Sequence, residues 1–170
     1  GQLVDTITCD ENGYGESKEL YLGSYTLEQA GIPRYYAGIN EQPEALVEKK
    51  NGEEPPIHEI DTEKTKITLK LSDELYQQQP LSGAVFTVTN GTTGVSQTVE
   101  TDQNGQILLT DLDKNTSYKI RQQQTIEDYQ LDPIEYTEDV DAYGRINGEN
   151  QAEMDLTNRM LRISVHGTDM

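Results

Sequence analysis

This chain of 170 residues has no tryptophan, one phenylalanine, one cysteine and two histidines. A lone thiol, Cys9, cannot close an internal disulfide and offers no second thiolate to a metal, so it reads as a small strand residue. His58 and His166 stand too far apart in sequence to suggest a shared metal site, and none is expected. Positive charge is also scarce, with 13 Lys and Arg against 31 Asp and Glu and a net charge of −18. Nucleic acid and anionic membrane would repel such a surface and are excluded as partners. No apolar run is long enough for a signal peptide or a membrane span, so any export or anchoring signal is expected outside this sequence. Gly-x-Ser-x-Gly, a phosphate loop and a Cys/His nucleophile pair are all missing, which removes the common grounds for an enzyme or a cofactor.

What is present is repetition. Residues 8–29, TCDENGYGESKELYLGSYTLEQ, and 100–122, ETDQNGQILLTDLDKNTSYKIRQ, are versions of one pattern. Asp10, Asn12, Gly13 and Leu20 lie 92 positions before Asp102, Asn104, Gly105 and Leu112. One extra residue near Lys114 to Thr116 moves the spacing to 93, where Tyr25 meets Tyr118, Leu27 meets Ile120 and Gln29 meets Gln122. A period of that length fits an array of small domains.

With only 33% hydrophobic residues but ten tyrosines, the composition favours thin, half-buried strands over a deep core. Alternation at Ile67, Leu69 and Leu71, and again through Val85, Val88, Ile107 and Leu109, marks strands. Asn-Gly turns at Asn12, Asn51, Asn90, Asn104 and Asn147 punctuate them, supplying the positive φ of tight hairpins. Only Glu41 to Lys50 offers a fair helical candidate. Asp10–Gly13 and Asp102–Gly105 resemble the opening of a calcium loop but lack its later ligands, so β-turns are expected. The acidic run from Glu135 to Asp141 reads as a solvated edge. Tyr35, Tyr76 and Tyr143 are candidates for an exposed aromatic contact surface. The fold class is all-β, with sandwiches in tandem.

The run Pro80-Leu81-Ser82-Gly83-Ala84-Val85-Phe86-Thr87-Val88, then Thr101 to Gly105, Leu112, and Tyr118 to Tyr129, resembles the Cna protein B-type, or SpaA-type, domain of Gram-positive surface proteins and pilins. The resemblance implies a prealbumin-like, inverse immunoglobulin β-sandwich over residues 65–160. Residues 1–64 then form a first domain lacking its opening strands, with Pro33 and Tyr36 at the family's proline and tyrosine positions. Residues 161–170 repeat the strand at Thr65 to Leu69 and look like the opening strand of a following repeat, or a strand exchanged between chains.

That family is known for an intramolecular isopeptide bond, in which a Lys on the first strand attacks an Asn on the last while a buried Glu or Asp shuttles the proton. Transferred to this chain, the Lys position falls on Leu71 and the acid position on Gln122, with Gln29 in the first copy. Only Asn158 keeps the acceptor identity. Lys70 faces the opposite way by strand parity. One reading rescues the bond through a bulge that turns Lys70 inward, with Asp155 replacing the acid. The other has Leu71 filling a core where an ionic cluster would sit.

The resulting expectation is a non-catalytic stalk segment of a cell-wall-attached extracellular adhesin, without isopeptide bonds and partnered by neighbouring repeats. Two alternatives stand beside it: a module binding host protein or glycan through loops at one end, and a sortase-linked pilin subunit whose signature lysine and sorting motif are not evident here.

Overall fold

The computed structural model describes residues 1–39, 42–48, 57–163 and 165–168. The turn expected at Asn51-Gly52 lies outside them. The chain divides into two compact units, one of Gly1–Ala30 with Ile39–Asp61 and one of Gly31–Gly38 with Thr62–Met170. Among the described residues there are nine strands and no helix.

The first unit is a two-stranded antiparallel sheet of β1 (Gly23–Thr26) and β2 (Glu44–Val47). The helix expected between Glu41 and Lys50 is therefore a strand. Ala45 and Val47 alternate with the exposed Glu44 and Leu46, a period of two, and the preceding Pro43 disfavours a helical approach. None of the described side chains in this unit is fully buried.

The second unit stacks two sheets. β3 (Lys66–Asp73) is flanked by β6 (Gln106–Leu109), antiparallel, and β9 (Gln151–Asn158), parallel. The other sheet runs β5 (Ser96–Glu100), β4 (Val85–Asn90), β7 (Thr116–Gln124) and β8 (Glu135–Val140), all antiparallel. Alternation does the sorting: β3 buries Ile67, Leu69, Leu71 and Asp73 and turns Lys66, Thr68, Lys70 and Ser72 outward. Phe86 and Val88 from β4, Tyr118 and Ile120 from β7, and Met154 and Leu156 from β9 complete the layer between the sheets. The exposed edge strand β5 is short and polar, which discourages edge-to-edge pairing.

Turns repeat as closely as strands. The Asp102 carboxylate accepts the amides of Asn104 at 2.8 Å and Gln106 at 2.9 Å. The Asp10 carboxylate accepts those of Asn12 and Tyr14 at 2.9 and 3.0 Å. Each turn places glycine at positive φ, 69° for Gly105 and 80° for Gly13. A third version sits at the end of the acidic run: Glu135–Val140 is β8, and Asp141 accepts the amides of Tyr143 and Arg145. The pairing of β1 with β2, Gly23 opposite Val47 through Thr26 opposite Glu44, recurs 93 residues later in β7 and β8, Thr116 opposite Val140 through Lys119 opposite Thr137.

Candidate functional site

Parity carries Gln122 of β7 and Asn158 of β9 into the interior from facing sheets, each only 2% exposed. Their carboxamides exchange two hydrogen bonds. Gln122 Nε2 donates to Asn158 Oδ1 at 2.7 Å, and Asn158 Nδ2 donates to Gln122 Oε1 at 2.9 Å. The remaining acceptor capacity is filled by the Asp132 amide, 2.9 Å from Gln122 Oε1, and by the Thr125 hydroxyl, 3.0 Å from Asn158 Oδ1. Such completeness is what makes burial of two amides tolerable, because each unmet polar atom would keep its full desolvation cost.

Leu71 lies on the same buried face of β3, 2% exposed, opposite Leu156 in the parallel ladder. Lys70 points outward, where its Nζ is 3.2 Å from Glu153. β3 alternates without interruption, so no bulge reverses Lys70, and Asp155 is exposed on β9. Leu71, Gln122, Asn158 and Thr125 thus supply no amine, and none of the four is an acid. These residues can fasten one sheet to the other, but they include no nucleophilic amine.

Gln29, assigned to the first copy, stands in the first unit. Its side-chain oxygen accepts the Ile39 amide at 3.0 Å, as Gln122 does the Asp132 amide, with both donor and acceptor 93 residues earlier. The shared local task explains why glutamine suits both places: its carbonyl anchors the following loop.

One residue pair that sequence reasoning missed adjoins the amides. Asp73, opposite Asn158 in the ladder, is 2% exposed. Its Oδ2 accepts the Tyr129 hydroxyl at 2.6 Å and its Oδ1 the amides of Leu75 and Tyr76. The Tyr129 hydrogen bond, with those amides, holds the carboxyl below its ordinary range, and the same bond pushes the Tyr129 phenol up to about 12. The signal was available: extending the alternation of Ile67, Leu69 and Leu71 by one step places Asp73 inside. Thr101 is a second such case, since its buried hydroxyl donates to the Leu81 carbonyl at 2.7 Å and accepts the Ala84 amide, while its counterpart Cys9 is exposed.

Elsewhere the polar groups are occupied locally. The turn carboxylates of Asp10, Asp102 and Asp141 are engaged by backbone amides. Among the described residues no cluster of His, Cys, Asp and Glu could hold a metal. An open cleft of about 450 Å³ lies beside the turn after β4, but its cations are already paired, Arg34 with Asp113 at 2.9 Å and Lys114 with the Pro33 carbonyl at 2.6 Å. Tyr76 and Tyr143 are exposed, whereas Tyr35 is half-buried with the Arg34 guanidinium 4.7 Å over its ring.

Residues 65–152 match the family described as the SpaA prealbumin-like fold domain. Among curated proteins none matches the chain. Of solved structures, the Bacillus anthracis TIE protein is similar with a TM-score of 0.51 and 18% identity, over 91% of this chain and 28% of that one. A C-terminal fragment of the pilus adhesin SpaC from Lactobacillus rhamnosus GG gives a TM-score of 0.50 and 15% identity, covering 89% and 81%. The same adhesin in an open conformation gives 0.50 and 17%, covering 89% and 20%. This chain therefore spans little more than a quarter of the Bacillus anthracis protein, and at such identities the likeness is one of fold.

Proposed function

The chain belongs to the SpaA prealbumin-like fold domain family, and from that premise we propose that it is a non-catalytic spacer segment of a Gram-positive cell-surface protein, built from such domains in tandem. In this reading residues 1–64 belong to one domain, 65–160 form the next, and 161–170 open a third. The observation that carries it is the return of one strand pairing, residue for residue, at a spacing of 93. The identical Asp10 and Asp102 turns and the kinship of Leu161–Val165 with Thr65–Leu69 support it. Repeated sandwiches set reach, and the charge of −18 keeps the array solvated.

The spacer is held by packing and hydrogen bonds rather than by a covalent cross-link. Leu71, Gln122 and Asn158 stand at the places the family uses for lysine, acid and acceptor, and two of the three groups cannot take those roles. Intact mass under denaturing conditions is the test of this part. The full mass is expected, and a deficit of one ammonia would overturn it. For the spacer role, arrays of extracellular host proteins and glycans are the measurement. The expected result is no saturable retention, whereas retention abolished by loop substitutions would replace the spacer with a binding module.

A further inference from the structure

The segment Gly31–Gly38 is part of the second unit, and its backbone geometry has a second edition 93 residues on. Tyr35 has φ 70° and Asp128 φ 69°. The Tyr36 amide donates to Pro33 O at 3.2 Å, and the Tyr129 amide to Ile126 O at 3.3 Å. Ala37 N–H donates to Glu63 O, and Gln130 N–H to Arg159 O, both at 2.8 Å. Thr65 N–H reaches Tyr35 O at 2.9 Å, and Leu161 N–H reaches Asp128 O at 2.7 Å. Isolated bridges join Tyr36 to Lys64 and Tyr129 to Met160. The strands that the two editions lead into are also related in sequence, KITLKLSD from Lys66 and RISVHGTD from Arg162.

The two editions differ in what they rest on. The first is seated on the domain whose opening strand begins at Lys66. Gly38 N–H donates to Tyr143 O at 2.8 Å, Arg34 pairs with Asp113, and Ala37 is 3% exposed. Gly144 makes room, since a Cβ there would come within 2.5 Å of Tyr36 O. In the second edition Leu131, at the place of Gly38, is 45% exposed, and Ile163, at the place of the buried Ile67, is 92% exposed.

We infer that residues 124–131 are the seating turn for a further prealbumin-like module whose opening strand begins at Arg162. The turn fits that module's counterparts of Tyr143 and Gly144. Glu127 stands where Arg34 does, so the incoming module's counterpart of Asp113 is neutral or basic. The inference rests on the tandem reading of the chain.

The test is a chain in which residues 1–161 continue into a second copy of residues 66–170, followed by amide hydrogen exchange. The Leu131 amide is expected to slow by about tenfold or more relative to the parent. Gly144→Asn in the appended copy, which accepts the positive φ but not the close approach, should restore fast exchange, and Glu127→Arg should slow it further. An appended copy with protected ladder amides but an unchanged Leu131 overturns the inference and leaves the tandem reading standing. A copy that never gains ladder protection overturns both.

Discussion

Tyr129 hands its phenolic hydrogen to the Asp73 carboxylate across 2.6 Å, tying the loop after β7 to the last residue of β3. Because the carboxyl is held below its ordinary range, its contribution to stability is present above that range and is lost as pH falls through the lowered value. The phenol is shifted the other way. Its contribution is intact below the ordinary tyrosine value of about 10 and disappears as pH rises through about 12. Melting temperatures of the parent and Tyr129→Phe, followed across pH, should differ most near neutrality and converge at both extremes. A constant gap would show that the pair is not titrating as described.

Tyr136 supplies an alkaline counterpart. Burial, reinforced by its hydrogen bond to Asp132, pushes its phenol up to about 12 as well. Alkaline unfolding is therefore expected to steepen between about pH 10 and 12. Absorbance of tyrosinate should show two phenols, lost in Tyr129→Phe and Tyr136→Phe, ionising together with unfolding.

The Gln122–Asn158 exchange makes each amide the other's principal partner. Asn158→Ala or Gln122→Ala alone should cost about 1–3 kcal/mol, since the survivor remains buried and unmet. Making both alanine substitutions together should cost less than the two single losses combined. Urea denaturation of the four proteins closes the cycle, and simple additivity would refute the coupling.

Placing the missing groups back offers a sharper test of the residue assignments. In Leu71→Lys with Gln122→Glu, the lysine nitrogen should bond to the Asn158 carboxamide carbon and the amide nitrogen leave as ammonia. Denatured mass would then fall short by one ammonia, and a further Asn158→Ala should restore it. Leu71→Lys alone should keep its mass and lose about 3 kcal/mol or more, having buried an uncompensated cation.

Two equivalent glycines should respond unequally to alanine. A Cβ on Gly105 would lie 2.4 Å from the Leu71 carbonyl oxygen and 3.0 Å from the Leu81 nitrogen, whereas Gly13 has nothing within 4 Å. Gly13→Ala should cost only the left-handed conformation, about 1–2 kcal/mol, and Gly105→Ala distinctly more. Thermal unfolding of both variants measures the difference.

Much of the second unit could be read in its letters because its signals are local. Ile67, Leu69 and Leu71 alternate, and Asp102 and Gly105 stand at the spacing that a carboxylate-capped turn requires. β2 escaped because four residues cannot display a period convincingly against neighbouring glutamates and lysines. Asp73 escaped for a different reason: a carboxylate reads as surface until a hydroxyl and two amides are known to meet it. The seating of Ala37 and Gly38 was equally silent, since their acceptors at Glu63 and Tyr143 lie 26 and 105 positions away in the chain. Gln122 and Asn158 were legible as positions by resemblance, but that they satisfy each other across the sandwich follows only from the two sheets being stacked.

The parallel alignment of β3 with β9 has a mechanical meaning. Lys66 opens β3 beside Gln151, and Asn158 ends β9 beside Asp73, seven residues further along both strands. These two ends therefore leave from opposite limits of one ladder, about 23 Å apart at ordinary strand rise. Tension applied through them draws the two strands past each other along their lengths. Every rung is loaded together, as in a lap joint, and none can be peeled singly.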